Sequence, residues 1–246
     1  MLPLHDESIP GKGLALVTLV TIALNLLVFV FLQLPDEAFT YAWAAVPAEI
    51  ISGQDVVGRV EINGGSFFLG ESPEPVYLTL ISSMFMHGGW LHLAGNMLFL
   101  WIFGDNVEHA MGHLSFVLFY LGAGIVATLA HILFEPNSLI PLVGASGAIS
   151  GVLGAYLVMF PRNRVLVLLF RFVVWVPAIV VIGMWAVLQF VSGIGQIAET
   201  EQTAGVAYLA HIGGFVAGVV VGLTMRALGR VPSPAGLQRA AQRGWR

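Results

Sequence analysis

The chain has 246 residues, of which 57% are hydrophobic and only 10% are charged, whereas soluble globular chains carry about 25% charged residues. This composition excludes an ordinary soluble domain and predicts an all-α protein that crosses a membrane several times. There is no cysteine, which excludes disulfides, thiolate metal sites and cysteine nucleophiles, and no Lys/Arg-rich patch indicates nucleic-acid binding.

The first part of the sequence predicts a tail, one span and a long loop. Residues 1–13 form a polar tail, and residues 14–34 form an apolar span without a charged residue. Residues 35–86 contain seven acidic residues and are too polar to cross a bilayer, yet parts of them are too apolar for a plain linker. We interpret them as a structured extracytoplasmic loop between helices 1 and 2, with short amphipathic helices that lie partly in the interface.

Further apolar segments complete a predicted bundle of six transmembrane helices, at residues 87–103, 114–134, 145–160, 173–191 and 205–228. Residues 165–171 are interpreted as an interfacial segment, and Glu108 as a loop anchor. The fourth span is only about 24 Å long, which is short for a hydrocarbon core of about 30 Å. Its end at Ser146 is therefore expected below the membrane surface. The six spans form one domain at residues 14–228, and a basic tail follows at residues 229–246.

The distribution of positive charge predicts the orientation of the bundle. Of the ten Lys and Arg residues, nine fall on one side in a six-span layout, and only Arg59, in the long loop, falls on the other. The positive-inside bias then places both termini in the cytoplasm. The expected membrane is the inner or plasma membrane of the cell. His211 lies roughly 9 Å below the outer end of the sixth span. Ser146 and His211 are therefore both expected in the outer half of the membrane.

Four polar side chains inside the predicted spans need an explanation, at His87, His92, Asn96 and His211. Ionisable groups in a span are costly and usually face a cavity or the bundle interior. His92 and Asn96 are four residues apart and share one helix face. Taken singly, each is explained by hydrogen bonding between helices. Taken together with Ser146 at the same depth, they favour a reaction site.

The residue types fit acyl transfer. A serine hydroxyl is a weak nucleophile until a base takes its proton, and a neutral histidine suits that task near pH 7. We therefore predict a dyad of Ser146 and His211, without an acidic third member. The His92 and Asn96 side chains, and backbone N–H groups at the start of the fourth span, can donate hydrogen bonds to the oxyanion of a tetrahedral intermediate.

Small residues would let the fourth and sixth spans approach each other closely. The fourth span contains Gly147 and Gly151, and the sixth contains a row at Gly214, Gly218 and Gly222. Such spacing is typical of helices that pack backbone to backbone in membranes. Close packing of these two spans would bring His211 to Ser146.

Four motifs occur in a characteristic order: residues 87–96, residues 104–108 followed by Gly112, residues 144–147, and Ala210-His211 followed by Gly214 and Gly218. With these motifs the chain resembles the rhomboid intramembrane serine proteases over nearly all of its spans. The resemblance implies Ser146 as nucleophile and His211 as general base. It implies an oxyanion hole made by His92, Asn96 and the Ser146 backbone, with Gly144 lining the same turn.

The resemblance also implies partners and a supporting set of residues. The expected partners are the lipid bilayer and single-span membrane proteins, cut in or near their membrane segment, and the fifth span would border their lateral access route. Many family members carry an aromatic residue one turn after the serine, packed against the catalytic histidine, where this chain has Ser150. We expect Ser150 to bond its own helix backbone. The expected supporting residues are His87, Tyr208, Gly147, Gly214 and Gly218.

Other functions fit the sequence less well. An intramembrane metalloprotease needs a His-Glu-x-x-His motif, which is absent, and an aspartyl protease needs a second span carboxylate besides Asp105. No metal or other cofactor is expected. The remaining alternatives are a catalytically silent rhomboid-like protein that binds membrane helices, and a transporter. If the protein is a protease, we expect water to reach Ser146 from outside through a cavity capped by residues 192–204.

Overall fold

The computed structural model describes residues 1–7, 13–62, 65–198 and 206–231, and the chain in these ranges is mostly helical. Helix α1 (Leu16–Val28) continues into a π-helical turn (Phe29–Gln33). The other longer helices are α5 (Trp90–Met111), α6 (His113–Phe134), α7 (Ser146–Met159), α8 (Ala178–Ala198) and α9 (Tyr208–Ala227), and the shorter ones before them are α2 (Glu37–Trp43), α3 (Pro47–Ser52) and α4 (Thr79–Ser82).

Within the described ranges, four helical segments are long and apolar enough to cross a membrane, at Leu16–Gln33, His113–Phe134, Ala178–Gly195 and Tyr208–Ala227. The protein is therefore a multi-pass membrane protein. The other two predicted spans correspond to α5, which carries polar and acidic residues, and to α7, which has only 14 residues. Six transmembrane helices thus remain a prediction.

Helix α7 is the centre of the bundle. Nearly all of its residues are buried, and it packs against α5, α6 and α9. A Cβ atom added at Gly214 of α9 would lie 2.1 Å from the carbonyl oxygen of Gly147, and one added at Gly218 would lie 1.9 Å from that of Gly151. Both distances are far below van der Waals contact. The two helices therefore meet backbone to backbone, and only glycine fits at these crossings.

The described chain is mostly helical, as predicted, and it also contains short strands that the sequence analysis did not predict. Strands β1 (Leu2–Asp6), β4 (Arg164–Leu169) and β5 (Phe172–Pro177) form an antiparallel sheet in the order β1-β4-β5. In the long loop, β2 (Gly58–Ile62) and β3 (Gly65–Leu69) form a hairpin. Within the segment predicted as a polar tail, residues 2–6 form strand β1.

The fifth predicted span corresponds to helix α8, which begins later in the chain than predicted. Residues 173–177 were assigned to the fifth span, but they belong to β5, and α8 starts at Ala178, directly after Pro177. The segment is rich in valine and aromatic residues, which favour strands as well as apolar spans. Hydrogen bonding to β4 therefore decides its conformation.

Strand β1 is anchored by a buried carboxylate. Asp6 accepts hydrogen bonds from the Tyr156 hydroxyl (2.5 Å) and from Nδ2 of Asn106 (2.7 Å). Glu7 follows it and forms an ion pair with Arg164 at 2.9 Å. These contacts join the start of the described chain to the ends of α5 and α7, at the opposite end of α7 from Ser146.

Helix α5 extends beyond the predicted limit at residue 103 to Met111, and Glu108 lies inside it rather than in a loop. The Glu108 side chain is completely buried. Its carboxylate accepts hydrogen bonds from the backbone N–H groups of Val17 (2.9 Å) and Thr18 (2.7 Å). These are among the N–H groups that have no partner within helix α1. Glu108 therefore caps α1 from a distant helix, which explains why a charged group is tolerated there.

Candidate active site

The central contact of the site joins Ser146, the first residue of α7, to His211 in the first turn of α9. The serine Oγ lies 2.8 Å from the histidine Nε2. The glycine crossing at Gly147 and Gly214 is one residue beyond the serine and three beyond the histidine. Close approach of the two helix backbones therefore sets the distance between the two side chains.

The other ring nitrogen of His211 has a partner that the sequence analysis missed. Nδ1 lies 2.8 Å from Oε1 of Gln189, which projects from α8. An amide oxygen only accepts hydrogen bonds, so Nδ1 carries the ring proton in this arrangement. The lone pair of Nε2 is then free to accept the hydroxyl proton of Ser146. The dyad predicted without a third member thus has a neutral amide behind its histidine.

Donors from α5 line the same cavity as Ser146. Nδ1 of His92 accepts the backbone N–H of Gly88 at 3.3 Å, which leaves the ring proton on Nε2. A Cβ added at Gly144, whose φ is +123°, would lie 2.8 Å from that Nε2 and 3.5 Å from the Ser146 Oγ. Gly144 therefore makes room for the His92 ring beside the serine. The N–H of Gly144 is used elsewhere, since it donates to the Ser83 carbonyl at 2.9 Å.

Asn96 supplies a second side-chain donor on the same face of α5. Its side chain is buried, and its Nδ2 has no hydrogen-bond partner in the described part of the chain. Asn96, His92, Ser146 and His211 border one cavity of about 610 Å³. An unpaired buried amide is costly, so a group that accepts its hydrogen bond in this cavity would be favoured.

His87 lies behind this cavity rather than in it. Its ring is buried and stands edge-on to the His92 ring, with centroids 5.1 Å apart. It lines a neighbouring cavity of about 620 Å³ that Gln33 also borders. The Gln33 side chain bonds both the N–H and the carbonyl of the His87 backbone, each at 3.0 Å. This pair of bonds fixes the segment that leads into α5.

Two aromatic rings hold the His211 ring from the sides. Tyr208 stands edge-on to it with centroids 6.5 Å apart, and Trp185 of α8 lies 6.2 Å away at an interplanar angle of 36°. Tyr208 was proposed for this place from sequence, whereas Trp185 was missed. Ser150 donates to the Ser146 carbonyl at 2.6 Å, as a serine bonded to its own helix does.

The remaining expectations concern metal binding and the cap over the cavity. Among the described residues, no three His, Asp or Glu side chains are arranged to hold a metal ion. Of the predicted cap at 192–204, residues 192–198 belong to α8, whereas residues 199–204 lie outside the described ranges. The basic tail, apart from its first three residues, also lies outside them.

Comparisons with known proteins agree on one family. A family model for the Rhomboid domain matches residues 74–228. The chain is 40% identical over 116 residues to the "Rhomboid protease GluP" of Bacillus subtilis. The aligned segment covers 43% of this chain and 22% of that protein. It is 31% identical over 151 residues to "Rhomboid protein 1, mitochondrial" of Saccharomyces cerevisiae. That aligned segment covers 59% of this chain and 41% of the yeast protein.

A third relative is the "Presenilin-associated rhomboid-like protein, mitochondrial" of Bos taurus, 32% identical over 91 residues, which covers 36% of this chain and 24% of that protein. The chain therefore spans less than half the length of each of these curated relatives. The family match at residues 74–228 includes Ser146 and His211.

Proposed function

This chain belongs to the rhomboid family, and we propose that it is an intramembrane serine endopeptidase that cuts single-span membrane proteins in or near their membrane segment. The observation that carries the proposal is the 2.8 Å contact between Ser146 Oγ and His211 Nε2, at a cavity that also holds two side-chain donors. A packing role would require neither the free Nε2 lone pair nor the space beside it.

The geometry supports a two-step acyl transfer. As the Ser146 Oγ attacks the carbonyl carbon of the peptide bond, its proton passes to Nε2 of His211. The tetrahedral intermediate then collapses, and His211 returns the proton to the leaving amine nitrogen, which leaves an acyl ester on Ser146. A water molecule, deprotonated by the same Nε2, hydrolyses the ester and regenerates the hydroxyl.

The proposed oxyanion hole has three donors. Nδ2 of Asn96 has no other partner in the described residues, and Nε2–H of His92 lies beside the serine across Gly144. The Ser146 backbone N–H lies in the first turn of α7, where N–H groups have no intrahelical partner. Donors aimed at developing negative charge give the largest single contribution in many enzymes of this chemistry.

The proposed orientation follows from charge. Arg164, Arg171 and Arg226 lie at the end of the bundle opposite to Ser146, since they follow α7 or end α9. The positive-inside bias then places that end in the cytoplasm, with both termini, and the active site in the outer half of the membrane. A substrate would approach between helices from the lipid, past α8, and water would enter from the outer face.

A serine-reactive fluorophosphonate tests the proposal directly. The wild-type protein should become labelled and should cut single-span substrates, and Ser146→Ala should lose both properties while remaining folded. Ser115→Ala is a matched control, because Ser115 is exposed at the start of α6, and it should behave as wild type. If Ser146→Ala cuts at the wild-type rate, the assignment is wrong. If wild type binds single-span proteins without labelling or cutting, the silent binding protein is the better description.

A further inference from the structure

We infer that Gln189 of α8 is a positioning residue for the general base, holding the His211 ring so that its Nε2 lone pair faces Ser146. This inference rests on the proposed function, which needs His211 as the base. Gln189 touches neither the reacting atoms nor the serine, so it would act only through the imidazole.

The contact itself is the first support. Oε1 of Gln189 lies 2.8 Å from Nδ1 of His211, and the opposite ring nitrogen lies 2.8 Å from the Ser146 Oγ. The three side chains therefore form one chain of hydrogen bonds from α8 through α9 to α7. Gln189 is partly buried, in a helix whose residues are otherwise almost entirely apolar. A polar side chain at such a place is costly unless it is bonded.

The chemistry of the amide explains why this contact would matter. A neutral imidazole carries its proton on either nitrogen, and only the form protonated at Nδ1 can accept a proton from serine through Nε2. Oε1 bonds that form, whereas bonding the other form would require the amide to turn so that its NH₂ group faces Nδ1. A carboxylate would do the same with more electrostatic stabilisation of the charged ring, but burying it within a span is expensive. A neutral amide orients the base without that cost.

In the part of the chain that the structure describes, Gln189 is the residue that bonds Nδ1 of His211. Among the described residues, the other titratable side chains that act on this ring are His92 of α5, His131 of α6 and Tyr208 of its own helix. The Glu135 carboxylate lies 3.7 Å from Nε2 of His131. Trp185, one turn before Gln189, contacts the ring from the same helix. Helix α8 therefore supplies both an aromatic contact and the hydrogen bond at Nδ1.

Packing between α8 and α9 fixes the position of the amide. A Cβ added at Gly193, one turn after Gln189, would lie 2.7 Å from Cδ1 of Ile212, the residue that follows His211. The two helices are therefore in close contact next to the hydrogen bond. Because the amide belongs to α8, the base would be held in its working form only while α8 is seated against α9.

Two substitutions separate the hydrogen bond from the shape of the side chain. Gln189→Met keeps the length but loses the acceptor, and it should lower kcat about five- to tenfold with little change in KM, which corresponds to one neutral hydrogen bond. Gln189→Glu keeps an acceptor, so it should recover much of the loss and move the acid limb of the pH–activity profile to higher pH, because a carboxylate stabilises the protonated ring. Leu188→Ala, at an exposed neighbour on α8, is the control and should match wild type.

A spectroscopic measurement tests the inference without relying on cleavage. Nitrogen-15 spectra of protein labelled at its histidine rings, with the His211 signal assigned by its loss in His211→Gln, should show the proton on Nδ1 in wild type and a mixture of the two neutral forms in Gln189→Met. A proton on Nε2 in wild type, or an unchanged signal in Gln189→Met, would overturn the inference. If the spectra agree with it while wild type cuts no substrate, the proposed function fails and the positioning contact stands.

Discussion

Replacing Gly214 by alanine should separate the two helices that carry Ser146 and His211. The new Cβ would lie 2.1 Å from the Gly147 carbonyl oxygen, whereas ordinary contact begins at 3.4 Å. The obstacle is backbone, so no side-chain rotation relieves it, and α9 has to move away from α7 by about 1.3 Å, the difference between these distances. Overpacking of this kind typically costs about 1–3 kcal/mol of stability.

The effect on the reaction follows from the same displacement. Because the crossing is adjacent to the dyad, the Ser146–His211 distance of 2.8 Å would lengthen toward about 4 Å, beyond hydrogen-bonding range. A misplacement of about 1 Å in an active site can cost about 100-fold in rate. We therefore expect Gly214→Ala to cut a single-span substrate about 100-fold more slowly than wild type.

The assay compares initial cleavage rates and thermal unfolding of the purified proteins. Gly222→Ala is the matched control, because its Cβ would meet its nearest atoms at 3.0 to 3.2 Å, two turns farther from His211. A shift of a few tenths of an ångström there should change the rate by less than about threefold. A folded Gly214→Ala protein that cuts as fast as Gly222→Ala would refute the argument that this crossing sets the geometry of the dyad.

Two further predictions concern Asn96 and Asp6. Asn96→Ala should lower kcat by somewhat less than the 10²–10³ typical of a lost oxyanion donor, because His92 and a backbone N–H share the task, and an unchanged turnover number would reduce Asn96 to a packing residue. Burial raises the pKa of the Asp6 carboxyl to about 7, so the folded chain holds this proton while the unfolded chain releases it near pH 4. The free energy of unfolding should then fall as the pH rises from about 4 to about 7. Asp6→Asn should remove this part of the dependence of stability on pH. Thermal unfolding at several pH values would contradict the prediction if wild type and Asp6→Asn lost the same stability between about pH 4 and about pH 7.

The sequence predicted the parts of the site that come from short motifs and matching depths. Ser146 and His211 were paired because both lie in the outer half of predicted spans, and the structure places them in contact. Gln189 and Trp185 were missed, although a glutamine in an apolar span is itself a signal for an inward-facing polar contact. A third catalytic member is expected to be an acid near His211 in the sequence, whereas the partner of Nδ1 is a neutral amide on the preceding helix.

The fold was harder to predict where hydropathy alone had to distinguish strand from helix. Residues 172–177 are as apolar as the helix that follows, and short apolar runs do not reveal their period. Strand β1 was missed because its partner, β4, lies far away along the chain. Glu108 looked like a loop residue because its partners are backbone groups of α1, about ninety residues earlier. Long-range pairing of this kind leaves no local signal in the sequence.

The anchoring of β1 also has a consequence for the order in which the molecule assembles. Asp6 and its hydroxyl donor Tyr156 are 150 residues apart. At a synthesis rate of about 5–20 residues per second, Asp6 is added to the chain about 8–30 seconds before that tyrosine. The sheet therefore forms only after most of the bundle has been synthesised. It is a late step of assembly and not the nucleus from which folding begins.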